Sequence, residues 1–187
     1  MALDCDLLVG DIGACADVTS KGFAQKAQIG NFSEIATKTV SGALVTALTL
    51  ASGKTTHEVI VKGLRPFEEM AVTGVEKKTG MVFSNAVTIH LKGLTPANSA
   101  LAKTLSNGEY FMILTQLGTI TNEKYPAPGI QAGLKCSEFT WNNEEGAYVA
   151  TLTENMADMP LLFIWATGVE PVTDLEATDT LVEGLLS

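Results

Sequence analysis

The sequence predicts a mainly β protein, a sandwich or barrel of antiparallel strands with one flanking helix, long hairpins and extended terminal arms. Two observations support this fold class: apolar and polar residues alternate with a period of two in several segments, and glycine-containing turns separate those segments. The chain has 187 residues, of which 46% are hydrophobic, so it can bury a core of its own. We therefore expect one domain over residues 1–187, with an N-terminal arm over 1–32 and a C-terminal arm over 170–187.

The clearest helical signal lies between two predicted strands, 87–91 and 109–116. Thr95-Pro96 supplies an N-cap hydroxyl and a proline at the first helical position, so a helix is expected over residues 96–107. Asn107-Gly108 is expected to end it, with the glycine in the left-handed conformation. The strand after the helix is apolar on both of its faces, which indicates a strand buried on both sides.

One stripe of this helix is expected to face the core. Ala97, Leu101 and Leu105 recur every four residues, Ala100 lies beside them, and Asn98 is expected to face water.

Most of the remaining chain is predicted to form strands and turns. Two hairpin turns stand out because short polar segments that contain glycine, Lys77–Gly80 and Asn142–Gly146, each separate two strand-like runs. The other predicted elements are strands over 38–50, 56–62, 129–140 and 160–166 and a short helix over 174–186 capped by Asp174.

No catalytic, metal or cofactor site is predicted. The Gly53-Lys54-Thr55 segment is not a phosphate loop, because Leu48 stands where that motif needs its first glycine and a strand follows instead of a helix. His57 and His90 lack the sequence partners of the common metal motifs. We expect the protein not to be an enzyme and to use no cofactor.

The charge of the chain is unevenly distributed. Its net charge is −9, yet all twelve lysines and arginines lie at or before Lys135, and the 52 residues after it contain ten carboxylates. This balance argues against tight binding to nucleic acid or to an anionic membrane, since both need clustered basic residues. The acidity either keeps the protein soluble or marks a surface that meets other copies or repels a polyanion.

The same sequence predicts a protein made in a cytoplasm. Asp4, Asp6 and Asp11 interrupt the apolar stretch that a signal peptide would need, and the apolar run Leu161–Ala166 is too short to span a bilayer. The chain has three cysteines, an odd number, with no CxxC spacing, so reduced thiols are expected.

The order of elements resembles the bacteriophage tail tube family and the related tubes of contractile injection systems. The resemblance rests on the hairpin through Lys77-Lys78, the strand, helix and strand over 87–113, the hairpin at Asn143-Glu144 and the N-terminal arm. It implies a virion protein, synthesised in the host cytoplasm, whose copies form rings that stack into a tube. The implied partners are identical subunits, other tail proteins and DNA that passes through without specific binding, and no membrane.

The charge asymmetry suggests which residues face the bore of such a tube or the contacts between subunits. The candidates are Glu144, Glu145, Glu154, Asp158, Lys77 and Lys78.

Two other functions fit the sequence. One is a capsid decoration or head–tail joining protein, which ring number and tube growth would distinguish. The other is a monomeric β-sandwich that binds a sugar or peptide on an exposed aromatic platform, for which Trp141 and Trp165 are the only tryptophans.

Overall fold

The computed structural model describes residues 22–60, 67, 70–78, 80–117, 121–166 and 173–186. The predicted fold class is confirmed: the protein is mainly β, with a seven-stranded antiparallel sheet curled into a half-barrel, a second sheet and two α-helices. The elements are β1 (Lys26–Asn31), β2 (Ile35–Ser41), β3 (Leu44–Leu50), β4 (His57–Ile60), β5 (Ala71–Lys77), β6 (Gly80–Lys92), α1 (Pro96–Asn107), β7 (Glu109–Ile113), β8 (Leu134–Asn142), β9 (Ala147–Ala157), β10 (Phe163–Ile164) and α2 (Asp174–Gly184).

The large sheet has the strand order β4-β1-β7-β8-β9-β6-β5, and the small sheet has the order β10-β3-β2. Both predicted hairpin turns are present: β5 pairs with β6 around Lys77 and Gly80, and β8 pairs with β9 around Asn142 and Ala147. No helix among the described residues is long and apolar enough to cross a membrane.

β7 separates two hydrophobic cores, as expected for a strand with two apolar faces. Met112 packs with side chains of β6, β9 and α1 on one face, and Phe111 and Ile113 pack with β3, β10 and α2 on the other. Gly30 lies against Phe111, and a Cβ atom at this position would come within 2.5 Å of the Phe111 ring. The neighbouring strand β1 therefore needs a glycine there.

The helix α1 begins as predicted but buries a different face. The Thr95 hydroxyl accepts a hydrogen bond from the Asn98 N–H at 3.1 Å, which confirms the N-cap. Ala102 and Leu105 are buried, whereas Leu101 is 45% exposed. The predicted stripe is therefore wrong for Leu101 and also for Ala97 and Ala100, which are exposed. The half-buried Asn98, which was expected to face water, donates through its amide to the carbonyls of residues 92 and 93.

The structure also corrects the predicted left-handed conformation of Gly108 and the bounds of two predicted strands, 38–50 and 129–140. Gly108 is extended, with φ −97°, and is required for space, because a Cβ there would overlap the Tyr110 hydroxyl. The predicted strand 38–50 is a hairpin of β2 and β3 that turns at Gly42, where φ is +58°. The predicted strand 129–140 begins only at Leu134.

The predicted N-terminal arm is wrong for its described part. Residues 1–21 lie outside the described residues, but β1 pairs with β4 on one side and β7 on the other, so it is an internal strand of the large sheet. Glycines 22 and 30 interrupt the strand pattern, and this is why the sequence did not reveal it.

The predicted C-terminal arm is likewise part of the folded body where it is described. Val182 and Leu185 of this segment are buried in the core on the α2 side of β7. The buried Gln28 amide donates to the Val182 carbonyl at 2.8 Å, and Thr56 donates to the Leu185 carbonyl through its N–H at 2.7 Å and its hydroxyl at 3.0 Å. These bonds satisfy carbonyls at the end of α2, which a helix otherwise leaves without partners.

Candidate assembly surfaces

The β5–β6 hairpin is the most exposed element of the large sheet. All seven residues of β5 are exposed, and β5 is the last strand of the sheet, so one edge of its backbone has no partner strand among the described residues. The pairing of β6 with β9 begins only at Phe83. We call residues 75–78 and 80–82, which extend past that point, the hairpin tip.

One face of this hairpin continues the core-facing side of the sheet. Asn85, Val87 and Ile89 of β6 are buried on that side, and the side chain of Met81 follows them with the alternation of the strand. Met81 is 57% exposed, and Val72, the cross-strand neighbour of Asn85, is 44% exposed. Apolar side chains on this side of the sheet are therefore buried along most of β6 but exposed at the hairpin. We call this exposed side of the hairpin its bare face.

The structure separates the five predicted site residues that are exposed into two groups at opposite ends of the sheet. Lys77 and Lys78 are exposed at the hairpin tip, and the exposed Asp158 directly follows β9 at the same end. Glu144 and Glu145 are exposed in the β8–β9 turn, which lies at the other end because the last residue of β6 pairs with the first residue of β9. These residues do not form one site.

The acidic turn at 143–146 is held by its own neighbours. The Asn142 side-chain oxygen accepts hydrogen bonds from the N–H groups of Glu144 at 2.9 Å and Glu145 at 3.4 Å. The Glu145 carboxylate lies 2.6 Å from His90 Nδ1. Glu145 therefore has a local partner, while its carboxylate stays accessible at the surface.

Glu154 does not lie at a surface, so its prediction as a lumen or interface residue is wrong. Its residue exposure is 1%. Oε1 accepts the N–H groups of Gln131 at 2.9 Å and Ala132 at 2.7 Å, and Oε2 accepts the Gly129 N–H at 3.0 Å and the Asn85 amide at 2.7 Å. The carboxylate is buried because it closes the 129–132 loop onto β9.

A cleft lies between the end of β3, the turn 51–54 and the helix α2. We call it the α2 cleft; its volume is about 390 Å³, and apolar parts of Leu48, Leu50, Leu181 and Leu185 line it. Because Thr56 and Gln28 bond the end of α2 next to β4 and β1, this cleft lies on the face of the large sheet that α2 covers, near the edge opposite β5.

The helix α2 is also fixed by a polar cluster. Lys124 Nζ lies 2.7 and 2.9 Å from the two carboxylate oxygens of Asp179, and the Tyr125 hydroxyl donates to Asp179 at 2.8 Å. Burial lowers the pKa of Lys124, but its hydrogen bonds to Asp179 and Tyr125 outweigh that effect, so the pKa is raised above its ordinary value.

Three aromatic side chains cluster near the β8–β9 turn. Phe139 stacks on Tyr148 with 5.4 Å between ring centroids, and Trp141 meets Tyr148 edge-on at 4.9 Å. All three are half-buried, and the hydroxyls of Tyr148 and Ser99 lie 3.1 Å apart. The rings pack on each other and on α1 and do not form a flat platform.

The sequence did not reveal two surfaces of the fold, the bare face of the β5–β6 hairpin and the α2 cleft. Val72 and Val75 of β5 lie three residues apart on opposite faces, so the alternation of the strand does not indicate their exposure, and the cleft depends on contacts distant in sequence. Within the described ranges, no three His, Cys, Asp or Glu side chains are grouped so that they could hold a metal ion. No family model, no curated protein and no solved structure matches this chain.

Proposed function

We propose that the protein is a structural virion subunit whose identical copies assemble into stacked rings that form a phage tail tube for the passage of DNA. The observation that supports this most strongly is the β5–β6 hairpin, an exposed sheet edge with apolar side chains on both of its faces. Val72 and Val75 are 44% and 41% exposed on opposite faces of β5.

Proteins that remain monomeric usually protect such an edge. Lysines within the strand, prolines, bulges or a covering loop prevent edge-to-edge pairing. Within β5 there is no proline, the one lysine is the last residue, Lys77, and the pairing with β6 has no bulge. No loop among the described residues pairs with its outer edge. Addition of a strand or loop from a second copy would satisfy the free backbone groups and cover the valines.

The positions of the exposed surfaces favour rings over a closed dimer. The hairpin and the α2 cleft lie near opposite edges of one sheet. A contact between two different surfaces is heterologous, and repeated heterologous contacts close into a ring when the rotation between copies allows it. Stacking of such rings would use the two ends of the sheet, which the edge-to-edge contacts leave open.

The acidity of the chain fits a conduit for DNA. Carboxylates that face a bore repel phosphates and release no counterions, so DNA moves without adhering. Glu154 cannot take this role because it is buried, which leaves the exposed residues Glu144, Glu145 and Asp158 as the bore candidates.

The test is the assembly state of the purified protein. Negative-stain images over a concentration series should show rings and then tubes with a central channel, and a gel-shift assay should show no retention of linear duplex DNA. A protein that stays monomeric at every concentration would refute the proposal. Single rings that never stack would favour the head–tail joining alternative instead.

A matched pair of variants links assembly to the hairpin. Met81→Lys places a charge on the bare face of the tip, whereas Leu94→Lys places one at a residue that is 67% exposed beside α1. Assembly should be lost in the first variant and kept in the second. Equal assembly of both would contradict the role of the hairpin.

A further inference from the structure

We propose that the α2 cleft is the acceptor for the hairpin tip of a neighbouring copy. This inference rests on the proposed function, since it names the two surfaces through which copies of the chain meet. It commits to one occupant, a second copy of the same chain, on three grounds that follow.

The first ground is the match of apolar surface. Leu50 and Leu181 are half-buried at the cleft, and Leu48 and Leu185 form its floor. The hairpin tip presents Met81, which is 57% exposed, and an unbranched thioether side chain adapts to an irregular cleft. Each surface leaves apolar area in water that the other would cover.

The second ground is the match of charge. The tip carries two exposed lysines, Lys77 and Lys78, and one exposed carboxylate, Glu76 opposite Met81, so its net charge is +1. At the cleft, the ammonium of Lys54 is already paired with Glu34 at 3.0 Å, while Glu183 is exposed beside the lining residue Gly184. The sequence of α2 contains four carboxylates and no base, and one of them, Asp179, is paired with Lys124, so the surface of α2 stays acidic and attracts a basic tip.

The third ground is that the chain cannot fill its own cleft with its own tip. The tip belongs to β5 and β6 at one edge of the large sheet, and the cleft lies near β4 and β1, the two strands at the other edge. The cleft is also open at Gly184, where a Cβ atom would meet nothing within 4 Å. A tip from another copy therefore has access.

The experiment is a charge swap followed by mixing. Lys78→Glu makes the tip acidic, and Glu183→Lys makes the cleft basic; the second change also suits the C-terminal end of a helix, so the fold should be kept. Each variant alone meets a like charge, and we expect its critical concentration for assembly to rise by roughly tenfold. An equimolar mixture should assemble as alternating copies, with a critical concentration near that of the wild type.

Two matched variants control for charge alone. Lys103→Glu on α1 and Glu138→Lys on β8 make the same changes at exposed positions away from both surfaces. Neither should change assembly. A third variant, Gly184→Trp, fills the cleft without a charge and should block assembly while the far-UV circular dichroism and urea midpoint stay those of the wild type.

The outcomes separate this inference from the proposed function. If the wild type does not assemble, the proposed function fails. If the wild type assembles, but Gly184→Trp assembles equally well and mixing restores nothing, the subunits meet elsewhere and only the α2 cleft is refuted.

Discussion

Replacing Glu154 by glutamine tests whether a single buried carboxylate holds the 129–132 loop on the sheet. Glutamine has nearly the same shape but offers one oxygen and one NH₂ group where the carboxylate offers two acceptors. Four N–H donors converge on Glu154 in the wild type. One oxygen of the new amide keeps two of them, and the NH₂ group faces the other two.

The size of the effect depends on which donors lose their acceptor. If the NH₂ group replaces Oε2, Asn85 can rotate its amide and accept from it, because Asn85 Oδ1 is buried without a hydrogen-bond partner. The Gly129 N–H is then left without an acceptor, and the remaining bonds lose their charge assistance. An orphaned buried donor costs about 1–3 kcal/mol, so the free energy of unfolding should fall by roughly 2–4 kcal/mol.

The assay is urea unfolding below the concentration at which copies assemble, since self-association would add to the apparent stability. The control is Glu144→Gln, which removes a carboxylate from an exposed turn and should change the free energy of unfolding by less than about 0.5 kcal/mol. If the two variants have the same stability, Glu154 is not the acceptor that holds the loop, and the account of its burial is refuted.

Two further predictions concern α2 and β1. The pKa of Lys124 is raised in the folded protein, so its contribution to stability is complete below the unfolded value of 10.5 and is lost as the pH rises through the folded value. Urea midpoints of the wild type should therefore fall above pH 10.5, and Asp179→Asn should make this fall smaller. If the variant shows the same fall as the wild type, the pair of Lys124 and Asp179 is not its cause. Gly30→Ala should lower the free energy of unfolding by about 1–3 kcal/mol, because the added methyl group meets the Phe111 ring. Gly184→Ala adds the same methyl group where nothing lies within 4 Å and should not lower the free energy of unfolding; an equal loss in both variants would show that the contact with the ring is not the cause.

The sequence predicts best what neighbouring residues determine. The N-cap at Thr95 and the β8–β9 turn at Asn142 depend on hydrogen bonds within a few residues, and both were found. The strand β1 was missed because its burial comes from β4 and β7, which pair with it across long sequence distances. The face of α1 was misjudged because the orientation of Asn98 depends on its hydrogen bonds to carbonyls at the end of β6 and just after it.

The same difference between local interactions and contacts distant in sequence applies to the candidate surface residues. The exposure of Glu144 and Lys78 follows from their position in turns, whereas the burial of Glu154 could not be read from its place in an alternating strand. In that strand a carboxylate normally indicates the solvent face. Here three N–H groups from a distant loop replace the water that the carboxylate would otherwise need.

The loop that Glu154 closes also affects how stably β7 is joined to β8, and therefore how stably the two halves of the large sheet hold together. β7 pairs with β8 through only two residues, and beyond them the N–H groups of Met112 and Leu114 donate to the carbonyls of Pro128 and Pro126. Between these prolines, the Ala127 N–H donates to Leu162 ahead of the small sheet. The segment that contains Pro126 and Pro128 thus bridges β7 where its pairing with β8 ends, and the Glu154 carboxylate holds the loop that follows this segment. The amide protons of Met112 and Leu114 should accordingly exchange with solvent at rates that follow those of the 129–132 loop. A change that loosens this loop would then also speed up exchange in the buried strand β7.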